Sequence, residues 1–266
     1  MNSPNHSASP LDETTTEPAV CETHGEFERK VYPPIFEGMQ SLRTGCPACA
    51  AEAREREAER ERRSKQAEHE FHVRRRLESA RIPARFAGKS LACYAGSNPG
   101  QKLALNVCRK YVEDFPDHAE VGRSLVLTGQ PGTGKTHLAC AVLSAVIEKY
   151  AVRGVFDTVS DLLRAIKETY RKDSPFSERD VIGRYVGCDL LVIDELGVQV
   201  GSEHEKLLLF EVLNGRYQEL RPTILISNLS ANELEEFLGH RVMDRYRECG
   251  VVLAFDWESH RGSKAA

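Results

Sequence analysis

The chain has 266 residues with 36 lysines and arginines, 40 aspartates and glutamates, and a formal net charge of −4. This length supports one sizeable core with a small appendage, and the near balance of charge excludes a uniformly basic coat for nucleic acid. The absence of any apolar run of about 18 residues excludes a membrane-spanning helix, and the absence of an amino-terminal signal pattern favours a cytoplasmic protein with reduced cysteines.

Composition divides the chain into four parts. Residues 1–19 are mostly polar and bury too little apolar surface to fold, which predicts a disordered tail. Residues 51–81 are rich in Glu, Arg, Ala and Lys, with opposite charges four positions apart, as in Glu52 and Arg56. This pattern predicts an exposed helical linker, with an arm that grips a partner as the alternative. The four predicted parts are the tail at 1–19, a metal-binding region at 20–50, the linker at 51–81 and a large domain at 82–266.

Four candidate metal ligands lie in residues 20–50. Cys21 and His24 form one pair, Cys46 and Cys49 form another, and two residues separate the members of each pair. One short turn can therefore aim both side chains of a pair at a single ion. Three thiolates and one imidazole are a suitable tetrahedral ligand set for Zn²⁺, and a region this small needs such a staple to fold. Two unrelated pairs, one of them a redox C-x-x-C, are the alternative.

A glycine-rich loop matches the pattern G-x-x-x-x-G-K-[ST]. Its residues are Gly129, Gln130, Pro131, Gly132, Thr133, Gly134, Lys135 and Thr136. The apolar run 124–128 before it predicts a buried strand, and residues 138–150 after it predict a helix, which is the context that this motif requires. Glycines let the backbone approach a ligand closely, and successive N–H groups at a helix amino terminus bind anions. We expect Lys135 to reach the β- and γ-phosphates of ATP and the Thr136 hydroxyl to hold Mg²⁺.

Two carboxylates end the third predicted strand, at residues 188–195. Four consecutive apolar residues in this strand indicate burial on both faces, as in a parallel sheet. Asp194 and Glu195 follow at its carboxyl end, the edge where ligands bind in open α/β sheets. Asp194 is predicted to hold the Mg²⁺ shell, and Glu195 to orient and polarise the attacking water. A strand that ends on solvated carboxylates is the alternative, and the upstream phosphate loop disfavours it.

Further candidates lie downstream. Asn228 ends the strand predicted at 223–228, where its amide could bond the γ-phosphate or the attacking water, or could simply form a turn. Arg241 and Arg245 lie one helical turn apart and share a face. They could supply positive charge beside the γ-phosphate or could simply form surface salt bridges. Four basic residues are weak candidates for DNA contacts, with a solvated helix face as the favoured interpretation: Arg164, Lys167, Arg171 and Lys172.

Together these segments resemble one family, the DnaC/DnaI-type helicase loaders of the AAA+ class, which are close kin of the IstB transposition ATPases. The resemblance covers roughly residues 82–261 and is carried by the segments 129–136, 191–195, 226–229, 239–245 and 257–261. The fold that it implies is α/β, a five-stranded parallel sheet with helices on both sides. The cysteine-rich region at 20–50 is similar to the zinc-bearing amino-terminal piece that many such loaders carry.

The resemblance also implies roles for individual residues. Asn228 matches the sensor-1 position, Arg241 the arginine finger that enters a neighbouring subunit's site, and Arg261 the sensor-2 arginine that reaches the phosphates of its own site. His240 departs from the family, in which an acidic residue commonly precedes the finger. Arg245 is the second candidate for the finger.

Three functions are weighed on this basis. The leading hypothesis is an ATP-dependent loader that delivers a replicative hexameric helicase to single-stranded DNA, with ATP as the switch. The alternative from the same fold is an IstB-like ATPase helper of a DNA transposase, and the zinc region argues against it. A zinc-bound adaptor with a vestigial ATPase is the third, and the intact Lys135, Asp194 and Glu195 argue against that one.

Overall fold

The computed structural model describes residues 14–34, 36, 38–197 and 202–260. The chain forms two compact units that divide between His69 and Glu70, inside the predicted linker. In the part of the chain that is described, no helix is long and apolar enough to cross a membrane.

The amino-terminal unit is built on an antiparallel hairpin. Strand β1 (Thr15–Cys21) pairs along its whole length with β2 (Gly25–Tyr32), and the short β3 (Leu42–Arg43) pairs with the other edge of β2. Helix α1 (Pro47–Ser79) follows and buries none of its residues. Such a helix depends on its own ion pairs, for example Lys65 with Glu61 at 2.7 Å.

The prediction of a disordered tail at 1–19 extends too far, because strand β1 already begins at Thr15. Its polar side chains do not prevent a strand, since β2 satisfies its backbone hydrogen bonds and Ala19 is buried against the unit. Residues 1–13 of the predicted tail lie outside the described residues.

The second unit contains a sheet of five strands, all parallel to their neighbours, in the order β5-β6-β7-β4-β8. The predicted five-stranded parallel fold is thereby confirmed. The strands are β4 (Ser124–Gly129), β5 (Gly154–Thr158), β6 (Leu190–Leu196), β7 (Thr223–Ser227) and β8 (Gly250–Phe255). The helices are α2 (Pro99–Glu113), α3 (Phe115–Val121), α4 (Lys135–Tyr150), α5 (Val159–Glu168), α6 (Glu178–Gly187), α7 (Glu203–Gln218), α8 (Ala231–Leu238) and α9 (His240–Glu248).

Two apolar clusters cover the two faces of the sheet, and β6 contributes to both. Leu190 and Val192 belong to the cluster that contains α2 and α4, whereas Leu191 and Ile193 belong to the cluster with α5, α6 and α7. Successive side chains of a strand point to opposite faces, so a continuous apolar run is what a sheet covered on both sides requires.

A buried arginine of α7 joins the end of α6 to the segment before β7. Arg216 of α7 is fully buried, and its Nη1 donates to the carbonyl oxygens of Tyr185 at 2.6 Å and Cys188 at 2.9 Å, at the end of α6. Its Nη2 donates to the carbonyl of Pro222 at 2.6 Å. The bonds to Tyr185 and Cys188 satisfy carbonyls that the end of α6 leaves without partners, and the bond to Pro222 ties the same side chain to the segment just before β7.

Candidate nucleotide and metal sites

The glycine-rich loop joins β4 to α4, as the motif requires. Gly129 has φ +116°, and a Cβ at that position would lie 2.4 Å from the carbonyl oxygen of Phe255 in β8. Gly134 has φ +99°, and a Cβ there would lie 2.7 Å from Cε2 of Tyr94. Only glycine accommodates these conformations and these close neighbours. The positions of the glycines in the sequence are therefore explained by the path of the loop.

Lys135 begins α4 and lies folded over the loop. Its side chain is buried, and Nζ donates to the carbonyl oxygens of Gly129 at 2.6 Å and Gln130 at 2.7 Å. Phosphate oxygens are charged acceptors and form stronger hydrogen bonds with an ammonium group than neutral carbonyls do. The loop thus places the Lys135 ammonium group where a phosphate group can replace the carbonyls as its hydrogen-bond acceptor.

The structure brings Thr136 and Asp194 together across the sheet edge. The hydroxyl of Thr136 donates to Oδ2 of Asp194 at 2.8 Å, although β7 lies between β4 and β6. Adjacent ligands of an octahedral Mg²⁺ ion, each about 2.0–2.1 Å from the metal, lie about 2.9 Å apart. A hydroxyl and a carboxylate oxygen at this spacing fit the predicted magnesium shell. Burial raises the pKa of Asp194, and the hydrogen bond from Thr136 opposes that shift.

Glu195 owes its direction to an irregularity that the sequence does not reveal. The pairing of β6 with β7 shifts register between Ile193 and Leu196, and Glu195 has φ +63°. A positive φ is uncommon for a residue with a side chain, and such irregularities occur next to active sites, where they re-aim a side chain. Glu195 is exposed, and its N–H donates to Oδ1 of Asp194 at 2.7 Å. The Asp194 carboxylate is therefore bonded to Thr136 and to the Glu195 N–H, whereas the Glu195 side chain is exposed.

A cavity of about 810 Å³ lies at this edge, a size typical of ligand pockets. Asn228, which follows β7, lines it between the loop and β6. The predicted site residues that line it are Pro131, Gly132, Gly134, Lys135, Thr136, Asp194, Glu195 and Asn228. Of the remaining loop residues, Gly129 and Gln130 contribute the carbonyls that bind Lys135, and the Thr133 hydroxyl donates to the Gln130 carbonyl at 2.8 Å.

Several lining residues carry no role in the sequence prediction. Arg85, Lys89 and Cys93 belong to the segment before α2, and His137 directly follows Thr136 in α4. The first three residues are distant from the glycine-rich loop in the sequence, and His137 belongs to no recognised motif. Only the fold brings them to the cavity. The aromatic residues Phe86 and Tyr94 also line the cavity.

The two candidate finger arginines have different surroundings. Arg245 donates to Asn214 Oδ1 and lies 5.0 Å from the ring centre of Tyr217, so it is engaged within its own chain. Arg241 lies in the first turn of α9 and is exposed, and its side chain forms no hydrogen bond or ion pair with the residues that the structure describes. Arg241 also does not line the cavity of its own chain. These surroundings favour Arg241 over Arg245 for a contact with a second molecule.

His240 precedes Arg241 in α9 and contacts a carboxylate of α8. Nδ1 of His240 lies 2.5 Å from Oε1 of Glu235, and Arg247 donates to Oε2 of the same carboxylate at 2.6 Å. Arg247 and then His240 lower the pKa of Glu235 to about 2. Arg261 lies outside the described residues, and the N–H of His260 just before it donates to the Gly132 carbonyl at 2.9 Å.

The basic residues weighed for DNA contact do not form one basic helix face. Arg164 donates to Asp161 at 2.6 Å, and Lys167 is paired with Glu205. Arg171 and Lys172 follow the end of α5 at Glu168 and lie in a turn. The interpretation as a solvated surface is accordingly the better supported one.

The four predicted metal ligands of the amino-terminal unit converge. Their ligand atoms all lie within 4.8 Å of one another: Sγ of Cys21, Cys46 and Cys49, and a ring nitrogen of His24. Sγ of Cys21 and Cys49 are 3.4 Å apart, and Nδ1 of His24 lies 3.3–3.8 Å from the three sulfurs. Two sulfurs about 2.3 Å from a tetrahedral zinc ion lie about 3.8 Å apart. The cluster therefore fits a zinc ion.

Secondary structure explains this convergence. Cys21 ends β1, the hairpin turn carries His24, and Cys46 and Cys49 flank the start of α1. Nε2 of His24 lies 2.8 Å from Oε1 of Glu52, one turn into α1, which leaves Nδ1 toward the sulfurs. Backbone hydrogen bonds at Thr23 and His24 lower the pKa of Cys21 to about 6, so a thiolate is available at neutral pH.

Comparisons with known proteins agree with this geometry. A family model described as "IstB-like ATP binding protein" matches residues 101–258. The replicative helicase loader DnaC of Escherichia coli K12 is 38% identical over 166 residues, which are 61% of this chain and 64% of that protein. DnaC of Buchnera aphidicola subsp. Schizaphis graminum is 33% identical over 169 residues, 63% of this chain and 67% of that protein. The matched region thus spans less than two thirds of the Escherichia coli relative.

Solved structures give the same picture. A crystal structure of the DnaC helicase loader is 29% identical with a TM-score of 0.59, and the match covers 65% of this chain and 99% of that one. A crystal structure of DnaI is 21% identical with a TM-score of 0.56 over 65% of this chain and 94% of its own, a likeness of fold. The family match spans more than half of the 266 residues, and the sheet carries the predicted topology. The chain therefore belongs to the family of IstB-like ATP-binding proteins and has the AAA+ fold of the DnaC helicase loaders.

Proposed function

We propose that this protein is an ATP-dependent loader that delivers a replicative hexameric helicase to single-stranded DNA. The observation that carries the proposal is the contact of Thr136 with Asp194, beside Lys135, within the family-matched residues 101–258 of a chain that is 38% identical to a DnaC loader over 166 residues. A phosphate loop joined to an acidic strand end is the arrangement that ATP hydrolysis requires.

We assign the roles in hydrolysis on the basis of the positions of the side chains. The loop amides and Lys135 would bind the phosphates, and Thr136 with Asp194 would hold the Mg²⁺ ion, which would supply charge neutralisation at the β- and γ-phosphates. Glu195, exposed at the bulge, accepts the proton of the attacking water. Asn228, between the loop and β6, orients the γ-phosphate or that water. We assign contact with the helicase to the amino-terminal unit. We assign binding of single-stranded DNA to the ATP-bound state of the protein.

The loading activity can be tested with circular single-stranded DNA, onto which a helicase ring passes only if it is opened. The full chain is incubated with the replicative hexameric helicase of the same source and ATP, and helicase bound to the circles is measured. We expect helicase to be captured by the loader and transferred to the circles only with ATP and an intact Lys135. A helicase that neither binds the chain nor reaches the circles would remove the loader assignment.

The transposase-helper alternative is not favoured. The family description names IstB, but the relatives that are 33% and 38% identical are both DnaC loaders. Capture of a transposase, with no capture of the helicase in the same assay, would reverse this preference.

We further propose that the protein self-associates and that Arg241 completes the ATP site of a neighbouring subunit. Its exposure, and the engagement of Arg245 by Asn214 and Tyr217, support this assignment. Phosphoryl transfer needs positive charge beside the γ-phosphate, and a finger supplied from another subunit couples hydrolysis to assembly. Arg261 remains the proposed sensor-2 residue.

Arg241→Ala should lower ATP turnover by about 10³-fold or more and leave ATP affinity nearly unchanged, because a finger acts on the transition state. Mixing this variant with Glu195→Gln should restore turnover, since one subunit then supplies the finger and the other the intact site. Steady-state hydrolysis of the separate and mixed proteins measures this. Arg247→Ala is the control, because Arg247 lies on the same helix and pairs with Glu235. Failure of the mixture to recover activity would exclude a finger acting between subunits.

We propose that Cys21, His24, Cys46 and Cys49 bind one Zn²⁺ ion per chain. The convergence of the four ligand atoms supports the proposal, and the bond from His24 to Glu52 is the carboxylate support that metal-bound histidines commonly have. The ion would hold the hairpin against the start of α1.

Elemental analysis of the purified chain should find one zinc ion, and Cys46→Ser combined with Cys49→Ser should eliminate it. Glu52→Gln should keep the ion but weaken its affinity by about 10- to 100-fold, because the carboxylate orients the imidazole. Competition with a chromogenic chelator measures the affinity, and Glu55→Gln, an exposed residue on α1, is the control. A folded, metal-free amino-terminal unit would contradict the assignment.

A further inference from the structure

One carbonyl of the phosphate loop accepts two hydrogen bonds from aromatic side chains. The Thr133 carbonyl accepts from Nε1 of Trp257 at 2.9 Å and from the hydroxyl of Tyr94 at 3.3 Å. Tyr94 follows the short 3-10 turn Leu91–Cys93, and Trp257 follows β8. The two donors thus come from opposite ends of the ATPase unit and meet on a single peptide group.

This peptide group needs external support. In a planar trans peptide the C=O and the following N–H point in opposite directions, so the direction of the Thr133 carbonyl determines that of the Gly134 N–H. Gly134 has φ +99° and no side chain, so its own backbone does little to favour one orientation. If this peptide turned over, a carbonyl oxygen would replace an N–H among the groups that face the phosphates, and it would repel them.

Both donors are held firmly. Tyr94 is buried, with its ring against Gly134, and burial raises its pKa to about 12, so the hydroxyl keeps the proton that it donates. Trp257 packs against Phe255 with ring centres 4.7 Å apart. A Cβ added to Gly100 at the start of α2 would lie 3.0 Å from the indole, so the ring lies directly against the backbone of that helix.

We propose that Tyr94 and Trp257 are positioning residues of the ATP site: together they orient the peptide between Thr133 and Gly134 so that the Gly134 N–H binds the β-phosphate. The proposal rests on the proposed function, since it assigns a role in the same site.

The test removes the donors while keeping an aromatic ring at each position. ATP, ADP and AMP affinities are measured by calorimetry on the full chain and on Tyr94→Phe, Trp257→Phe and the double variant. Each single change should weaken ATP and ADP by about three- to tenfold, the effect of one hydrogen bond, with AMP unchanged. The double variant should lose more than the product of the two single effects, because either donor alone still orients the shared carbonyl. The KM for ATP should rise while kcat is kept.

Tyr150→Phe is the matched control, because its hydroxyl also donates to a main-chain carbonyl, that of Glu113 at 2.7 Å, at the other end of α4. Combined with Trp257→Phe it should add nothing to the single effect. Equal losses for AMP and ATP, or a double variant no weaker than the product, would overturn the proposal. Wild-type protein that does not bind ATP would instead refute the proposed function. As the single tryptophan of the chain, Trp257 should also change its fluorescence emission on ADP binding, and an unchanged emission would count against a tie to the loop.

Discussion

Lys135→Ala should abolish measurable ATP binding. Nζ donates to the Gly129 and Gln130 carbonyls, and ATP would replace these acceptors with charged phosphate oxygens. Hydrogen bonds that involve a charged group contribute about 1.5–3 kcal/mol each. Loss of two such bonds weakens binding by about 100-fold or more, before the long-range attraction of the ammonium for a triphosphate is counted. Calorimetric titration of the full chain with ATP measures this directly.

The control for this change lies on the same helix. Lys149 is an exposed lysine in the last turn of α4, so Lys149→Ala removes an equal charge without touching the loop. It should leave ATP affinity within about twofold of wild type, because exposed charges contribute little at ordinary salt concentrations. A Lys135→Met variant preserves most of the buried side-chain volume and separates loss of the charge from collapse of the loop. Unchanged affinity in both Lys135 variants would remove the phosphate-loop assignment.

Glu195→Gln should bind ATP with nearly wild-type affinity but hydrolyse it about 10²- to 10⁴-fold more slowly. The amide preserves the size of the side chain but does not accept the proton of the attacking water, and general base catalysis contributes about this factor. Glu195 is exposed at the edge of the cavity, and only its N–H is bound to Asp194, so the change leaves the magnesium ligands in place. Single-turnover hydrolysis, measured beside ATP affinity, separates the two effects.

Glu211→Gln is the matched control for this base. Glu211 is an exposed carboxylate on α7 and does not line the cavity. It should hydrolyse ATP at the wild-type rate. If Glu195→Gln also retained near-normal turnover, another group would have to activate the water. If it lost ATP affinity as well, Glu195 would be acting on the nucleotide or the metal and not on the water.

Local sequence was a sound guide wherever a local rule applied. The phosphate loop was recognisable because positive φ angles at Gly129 and Gly134 require glycine, which leaves a readable spacing. Strand β6 was recognisable because a strand covered on both faces must be apolar throughout, as the burial of Leu190 to Ile193 demonstrates. The strand β1 at Thr15 was missed because its stability comes from pairing with β2 and not from its own composition.

The site contains features that no local rule predicts. The register shift that turns Glu195 toward the cavity depends on how β6 pairs with β7, and the sequence of either strand alone carries no signal for it. The support of His24 by Glu52 and the two donors on Thr133 join residues that are distant in the chain. The difference between Arg241 and Arg245 likewise depends on Asn214 and Tyr217 of another helix.

The amino-acid sequence by itself determined which binding groups this protein carries: a phosphate loop, two carboxylates at a strand end, and four side chains suited to zinc. Each of these depends on residue type and short spacing, which local backbone geometry converts directly into a binding element. The tertiary structure alone decided which of these groups meet. Thr136 lies at the start of α4, which follows β4, and Asp194 lies in β6; β7 separates these two strands, so the two side chains come together only when the sheet has formed. Contacts between distant segments depend on pairing and packing across the fold, and these are properties of the assembled chain rather than of any stretch of it.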